Sequence, residues 1–345
     1  MLKAAILGAT GMVGQIFIHL LSGHPWFEVS VLAASEKSAG MKYSKAVNWR
    51  LPSRIPENIA HLDVSEITPS AVKDVDLVFS ALPAEVAGKV EEDFARAGYV
   101  VVSNASAHRM ELDVPLINPE VNCDHVCLIE EQRRRRKWSG AIVTNPNCST
   151  AVLTLSLKPI YDDFGIGKVI VSTMQALSGA GYPGVASLDI IDNVLPFIPN
   201  EEEKIQSESL KILGSPYKQA EFKVSASCHR VPSLDGHVEA VFAELTRDAD
   251  AEAVEASMER FAGEPQKLKL PSAPPKPVVV RHEEDRPQVR LDRMEGKGMS
   301  VVVGRVRQDS ALGGVKYIVL GHNTIRGAAG CAILNAEYLR TKKYI

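Results

Sequence analysis

The chain has 345 residues, which at about 150 residues per domain points to two domains. Its 45% apolar and 23% charged residues exclude extended disorder, collagen-like repeats and a disulfide-stapled miniprotein, and five scattered cysteines read as reduced thiols of a cytoplasmic protein. A formal net charge of −3, from 39 basic and 42 acidic residues, lacks the positive field of a nucleic-acid binder, and no run reaches the ~18 apolar residues that cross a membrane.

In chain order, residues 2–7 are a short apolar run that reads as a strand buried on both faces. The run leaves no room for a removable signal peptide, so the fold is expected to begin at residue 2. The loop Gly8-Ala9-Thr10-Gly11-Met12-Val13-Gly14 follows, then a helix over 15–21 and a strand over 27–33. This is the βαβ layout of a dinucleotide-binding half. Glycines at 8, 11 and 14 let the backbone turn sharply and approach a pyrophosphate, which the N–H groups of a helix start would face. Thr10, Met12 and Val13 belong to the same candidate cofactor loop.

An NAD site carries an acid at the end of the second strand, for the ribose 2′-OH. Here Ala33 and Ala34 occupy that place, and Ser35, Lys37 and Ser38 could hold a 2′-phosphate instead. This favours NADP, with Glu36 as the counter-argument if the strand ends later.

Strands at 75–80 and 99–103 flank a helical pattern at 84–97, so the first part reads as an α/β, Rossmann-type, doubly wound parallel sheet. The character changes after residue 145. A helix is expected from near Cys148 through 155, then β-type runs at 167–173, 223–227, 238–245 and 300–306, giving a second, α+β domain. The Pro-rich stretch 270–277 reads as a surface connection, and a last helix is expected over 323–339. The boundaries drawn are 1–147, completed by 321–345, and 148–320.

Two stretches carry chemistry. Asn145-Pro146-Asn147-Cys148-Ser149-Thr150 places a cysteine at a helix start, where backbone N–H groups favour a thiolate and can stabilise an oxyanion. Cys228-His229-Arg230 through Asp235-Gly236-His237 puts two histidines and an arginine in a strand followed by a Pro/Gly-broken loop. Cys123, His125 and Cys127 lack a second ligand pair at zinc-site spacing, so no metal site is expected. Residues 133–137, Arg-Arg-Arg-Arg-Lys, read as a solvated loop, and Glu201–Lys204 alone as an ordinary helix surface.

Taken together, these motifs resemble the aspartate-semialdehyde dehydrogenase family over nearly the whole chain, closest to the branch typical of archaea and fungi. The resemblance rests on the Gly8–Gly14 loop, Asn147-Cys148-Ser149-Thr150, residues 175–181 (Gln-Ala-Leu-Ser-Gly-Ala-Gly), residues 201–211, Arg230 with His237, and residues 321–329. It implies a cysteine nucleophile at Cys148, an acid–base histidine at His237 and a glutamine, Gln175, that orients the acyl intermediate. It implies Arg230 on the substrate carboxylate, Glu208 on the ammonium, Lys211 and Arg109 on phosphate, and Asn147 beside them. Ser178, Gly179 and Asn323 match the nicotinamide end of the cofactor site. The second domain would be catalytic and oligomerising, in a homodimer or homotetramer.

The implied reaction is NADPH-dependent reductive dephosphorylation of aspartyl-4-phosphate to aspartate semialdehyde through a cysteine thioester, a step towards lysine, threonine and methionine. A malonyl-CoA reductase would keep Cys148 and His237 but need room for coenzyme A. An N-acetyl-glutamyl-phosphate reductase shares the mechanism, and the Glu208/Lys211 and Arg230/His237 pattern argues against it. A non-catalytic NADP sensor would have no use for the nucleophile.

Overall fold

The computed structural model describes residues 1–345 as two compact units. The first comprises Met1–Ile117, Asp124–Asn145 and Ala328–Ile345; the second comprises Asn118–Cys123 and Pro146–Gly327.

The first unit holds a six-stranded parallel sheet. Its strands are β1 (Leu2–Leu7), β2 (Phe27–Ala33), β3 (Val64–Ser65), β4 (Leu77–Ser80), β5 (Val100–Ser103) and β6 (Ala141–Thr144), in the order β3-β2-β1-β4-β5-β6. That order has the reversal point of a doubly wound nucleotide-binding sheet. The last four residues of β1, Ala4–Leu7, and all of β4, β5 and β6 are buried, as apolar runs with helices on both faces require.

Helix α1 (Met12–Leu21) starts three residues before the expected position. The reason is Gly14: a Cβ there would lie 2.4 Å from the Gly8 carbonyl oxygen, so the third glycine sits inside the first helical turn to let strand and helix touch. Helix α2 (Ala84–Arg96) packs on β5. The basic run is not a loop. It ends helix α3 (Leu128–Arg136), where Arg133 pairs with Glu130 and Arg134 with Glu131 at i,i+3, and Lys137 stops the helix at φ 54°. Cations at a helix C-terminus three residues beyond acids are helix-stabilising, a pattern the composition reading passed over.

The last helix, α7 (Gly330–Thr341), begins later than expected, after a π-turn at Ile325–Ala329. Residues 321–327 pack with the second unit, not the first, and bring 118–123 with them. A fully buried ion pair joins Arg326 to Glu120, and Asn118 Nδ2 donates to Ala151 and Thr154.

The second unit holds a mixed six-stranded sheet in the order β10-β11-β12-β9-β7-β8. The strands are β7 (Ile166–Gln175), β8 (Lys223–Arg230), β9 (His237–Leu245), β10 (Val278–Arg281), β11 (Val301–Asp309) and β12 (Gly314–Gly321). Helix α4 (Cys148–Phe164) precedes β7, α5 (Glu201–Ile212) lies between β7 and β8, and α6 (Ala251–Arg260) between β9 and β10. Burial alternates along β7 and β9: Val169, Val171, Thr173 and Gln175 face inward, and Ile170 is 45% exposed on the other face. Period-two alternation means one face is covered by helices and one is open.

Candidate active site

In the first unit, the Gly8–Gly14 loop forms the turn between β1 and α1. Gly8 has φ +76°, and a Cβ there would lie 2.7 Å from the Ala81 carbonyl oxygen, so only glycine fits. Gly11 caps α1 with no side chain, which leaves the N–H groups of Met12 and Val13 at an open helix start suited to a pyrophosphate. Gly8 and Ala9 both donate to the Ala33 carbonyl, so the second strand ends there. Ala34 is buried, and Ser35, Glu36 and Lys37 are exposed on the turn that follows, closed by Ser38 N–H to the Ser35 carbonyl at 2.8 Å. No acid stands at the strand end. Arg109 is almost fully buried and donates to the Asn104 carbonyl at 2.7 Å.

The second unit brings the chemistry together at one end of its sheet. Arg230 on β8 pairs in register with Gln175 on β7, and His237 opens β9 beside them. Cross-strand neighbours share a face, so these side chains project together. Cys148, the first residue of the 17-residue helix α4, meets them: its Sγ lies 3.2 Å from His237 Nε2. His229, next to Arg230, points to the other face and contacts the Thr173 carbonyl.

His237 is fully buried. Its Nδ1 accepts the Ala176 main-chain N–H at 3.1 Å, which puts the proton of the neutral ring on Nε2, facing the sulfur. Burial, then the Arg230 charge, pushes its pKa down to about 3. Arg230 donates to the Ala176 carbonyl at 2.8 Å, and burial lowers its pKa from the usual arginine value. Gly179 lies over this group. A Cβ there would sit 2.8 Å from an Arg230 nitrogen and 3.2 Å from His237 Nε2, so a methyl would press on the Arg230 guanidinium. Gly327 does the same on the other side, where a Cβ would lie 2.7 Å from that of Cys148.

Asn147 sets the nucleophile's position. Its Oδ1 accepts the Ser149 and Thr150 N–H groups as an N-cap, its Nδ2 donates to Glu201 at 2.9 Å, and its own N–H donates to Glu208 Oε2 at 2.7 Å. Glu208 is thus turned inward to the main chain before Cys148, with Lys211 one turn on and half-buried. Asn323, expected near the cofactor, accepts the Gly236 N–H and donates to Ser178 Oγ, both at 2.8 Å, and so braces the turn that delivers His237.

Glu201 is the residue that sequence reasoning missed. Read as helix surface, it is 6% exposed and accepts from both Asn147 and Gln175. The available signal was the seven-residue spacing of Glu201 and Glu208 with Ile205 between them, which sets all three on one buried helical face. Glu239, one register row below His237, was also missed; alternation alone marks it as inward.

A dinucleotide-type sheet and a cysteine–histidine pair at a helix start define a class: oxidoreductases that work through a covalent thiol adduct. The family models of the semialdehyde dehydrogenase NAD binding domain and dimerisation domain match residues 3–129 and 157–326. An aspartate-semialdehyde dehydrogenase of Methanothermobacter thermautotrophicus is 58% identical, over 98% of this chain and 99% of its own. The aspartate-semialdehyde dehydrogenase of Candida albicans, solved with NADP, superposes with a TM-score of 0.92 at 42% identity over the whole of both chains. A malonyl CoA reductase (NADP) of Metallosphaera sedula is 45% identical over 100% of this chain and 98% of its own. The chain belongs to the aspartate-semialdehyde dehydrogenase family.

Proposed function

We propose that the protein reduces L-aspartyl-4-phosphate to L-aspartate 4-semialdehyde with NADPH, and in reverse oxidises the aldehyde with phosphate. The observation that carries the reading is the 3.2 Å contact between Cys148 Sγ and His237 Nε2, beside Arg230 and Gln175.

The thiolate of Cys148 attacks the acyl carbon, and the carbon–phosphate bond breaks to leave a thioester on Sγ. Arg230 grips the α-carboxylate with its remaining guanidinium N–H groups. Glu208 faces the ammonium, and Lys211 with Arg109 takes the charge of the departing phosphate. Gln175 orients the acyl group. Bound NADPH supplies the hydride that reduces the thioester carbon. His237 holds its proton at Nε2 next to the tetrahedral oxygen, and collapse of that centre expels the Cys148 thiolate with the aldehyde.

The cofactor's diphosphate fits the open start of α1 at Gly8, Thr10, Gly11, Met12, Val13 and Gly14, where a Cβ at Gly8 or Gly14 would close the turn. The exposed Ser35 and half-buried Ser38 suit a ribose 2′-phosphate, and the buried Ala33 and Ala34 replace the acid that a 2′-OH would need. Ser178, Gly179 and Asn323 are assigned to the nicotinamide end.

The assembly is a homodimer or homotetramer formed through the second unit, supported by the family name of that region and by the open sheet face around Ile170. No helix is long and apolar enough to cross a membrane. None of the five cysteines is in a disulfide, as suits a reducing compartment, and we place the protein in the cytoplasm.

The test is an assay of nicotinamide absorbance with aspartate semialdehyde plus phosphate against malonyl-CoA. Turnover is expected with the first pair. Faster turnover with malonyl-CoA would move the chain to the thioester reductases, the reading favoured by the 45% identical relative.

A further inference from the structure

We propose that Glu201 is a positioning residue, whose carboxylate fixes the amide of Gln175 so that its oxygen, as an acceptor, faces the group bonded to Cys148. The proposal rests on the reading of Gln175 as the side chain beside the acyl intermediate.

The geometry around Glu201 is specific. One oxygen, Oε1, accepts from Asn147 Nδ2 at 2.9 Å and from Gln175 Nε2 at 3.0 Å. The second N–H of Gln175 goes to Thr173 Oγ1 at 3.2 Å. Both amide donors are therefore turned away from the free end, and the amide oxygen is the polar atom left over. A hydroxyl such as Thr173 can donate or accept, so it could not set this orientation alone. An ionised carboxylate only accepts, and a flipped amide would set oxygen against oxygen. Asn147 reports the same direction independently, because its Oδ1 must face the N–H groups of Ser149 and Thr150 to cap α4.

Donors and a lysine surround Glu201 and are absent around its neighbour Glu239. Glu239 is fully buried, neither carboxylate oxygen has a hydrogen-bond partner, and burial with the Glu201 charge raises its pKa well above the usual value. Lys204 Nζ lies 3.9 Å from Glu201 Oε2, and the Arg230 guanidinium feels the Glu201 charge.

The consequence is chemical. His237 Nε2–H is a donor aimed at the sulfur from one side, and Gln175 supplies an acceptor from another. An adduct on Cys148 that carries a hydroxyl or ammonium hydrogen is then held between one donor and one acceptor. If Gln175 flipped, two donors would face it and the tetrahedral adduct would lose a defined orientation. Misplacement of a reacting group by about 1 Å costs on the order of 10²-fold in rate.

The experiment is a variant cycle in the full-length protein, read as kcat and KM separately. Glu201→Met, which has no acceptor, is expected to lower kcat about 10–100-fold with KM for both substrates within about threefold. Glu201→Gln, whose amide oxygen can still accept from both partners, is expected to recover most of that loss. Gln175→Ala should lower kcat similarly, and Glu201→Met added to it should cost no more than about twofold further, because the two act as one. The rate of Cys148 alkylation by iodoacetamide should stay at the parent value in all three. Should Glu201→Met not fold, Thr173→Val removes the other acceptor on Gln175 and gives a smaller kcat loss that vanishes in the Gln175→Ala background. Parent kcat in Gln175→Ala would overturn the reading of Gln175 itself. A loss in Gln175→Ala with parent kcat in Glu201→Met, additive losses in the double variant, or no recovery in Glu201→Gln would overturn the role given to Glu201.

Discussion

The two sheets have the same number of strands and use them differently. The first unit runs all six parallel, with β4 and β5 buried on both faces, and the residues proposed for the cofactor sit in the turns that immediately follow β1 and β2. The second unit mixes directions, leaves one face open, and assembles its site from side chains remote in sequence; Cys148 and His237 are 89 positions apart. Antiparallel β9 starts at the end where parallel β7 and β8 finish, and this is what places His237 beside Gln175 and Arg230. A parallel βα sheet presents loops for a cofactor, and a mixed sheet with a helix start against it can surround a reacting carbon.

That division of labour is broken most directly at the nucleophile. Cys148→Ser is expected to lower kcat by about 10³-fold or more, with the NADP dissociation constant unchanged in a fluorescence titration. A variant that keeps a tenth of the activity would remove the second unit's claim to the chemistry. Next in size, His237→Asn should cost about 10²–10⁴-fold in kcat, and His229→Asn less than about threefold, since only His237 reaches the sulfur. A reversed ranking would mean that the turn at Asp235-Gly236 does not deliver the working histidine.

The contrast also explains what could be read from the chain. In the first unit, β1, β2, β4, β5 and the glycine loop announce themselves locally, through apolar runs and a motif of seven residues, whereas β3, two residues long, and β6 were not marked. Even the misplaced start of α1 follows from a glycine whose role is contact with Gly8 and not flexibility. In the second unit, Cys148, Arg230 and His237 were legible as residue types near breaks in structure, and resemblance supplied their roles. The partnerships were not legible. Glu201 looks like a surface acid until α5 is docked on Asn147, and the tautomer of His237 depends on the main chain of Ala176, which carries no side-chain signal. The segment 321–327 groups with 118–123 in the second unit, and the Arg326–Glu120 pair within that group lies beyond any local pattern.

Glycines sharpen the comparison at intermediate size. Gly179→Ala places a methyl 2.8 Å from Arg230 and is expected to reduce kcat/KM about tenfold or more while leaving Tm near the parent value, because Gly179 is exposed. Gly14→Ala should instead lower Tm and raise KM for NADP, since it separates β1 from α1. Thermal scans beside kinetics of both variants decide; a shared pattern would mean that the two glycines do the same work. Smaller again, Ser35→Ala and Ser38→Ala should each raise KM for NADP about fivefold with little change for NAD, the size of one hydrogen bond to a phosphate. Equal effects on both cofactors would return Glu36 to consideration as the ribose acid.

The smallest expected effect separates the inside of the second unit from its site. Glu239 is neutral in the folded state, because burial raises its pKa well above the ordinary 4.5. A raised carboxyl pKa means that the folded protein binds the proton more tightly than the unfolded chain. Its contribution to stability is whole below pH 4.5 and is lost as pH rises towards the folded value. His237 works in the opposite direction. Held neutral with a pKa near 3 against an ordinary 6.5, it contributes fully above 6.5, and that contribution is lost as pH falls towards 3. The two arms bracket a stability maximum and can be separated by substitution. Glu239→Gln cannot titrate, so its Tm relative to the parent should climb steadily from pH 5 to pH 8, by a few degrees for about 1 kcal/mol. Its acid arm below pH 4.5 should run parallel to the parent's, since His237 is untouched. Differential scanning across pH measures both limbs at once. A Tm difference that stays flat from pH 5 to pH 8 would place a charged Glu239 in the core beside Glu201, and with it a partner for a carboxylate that has none in this structure.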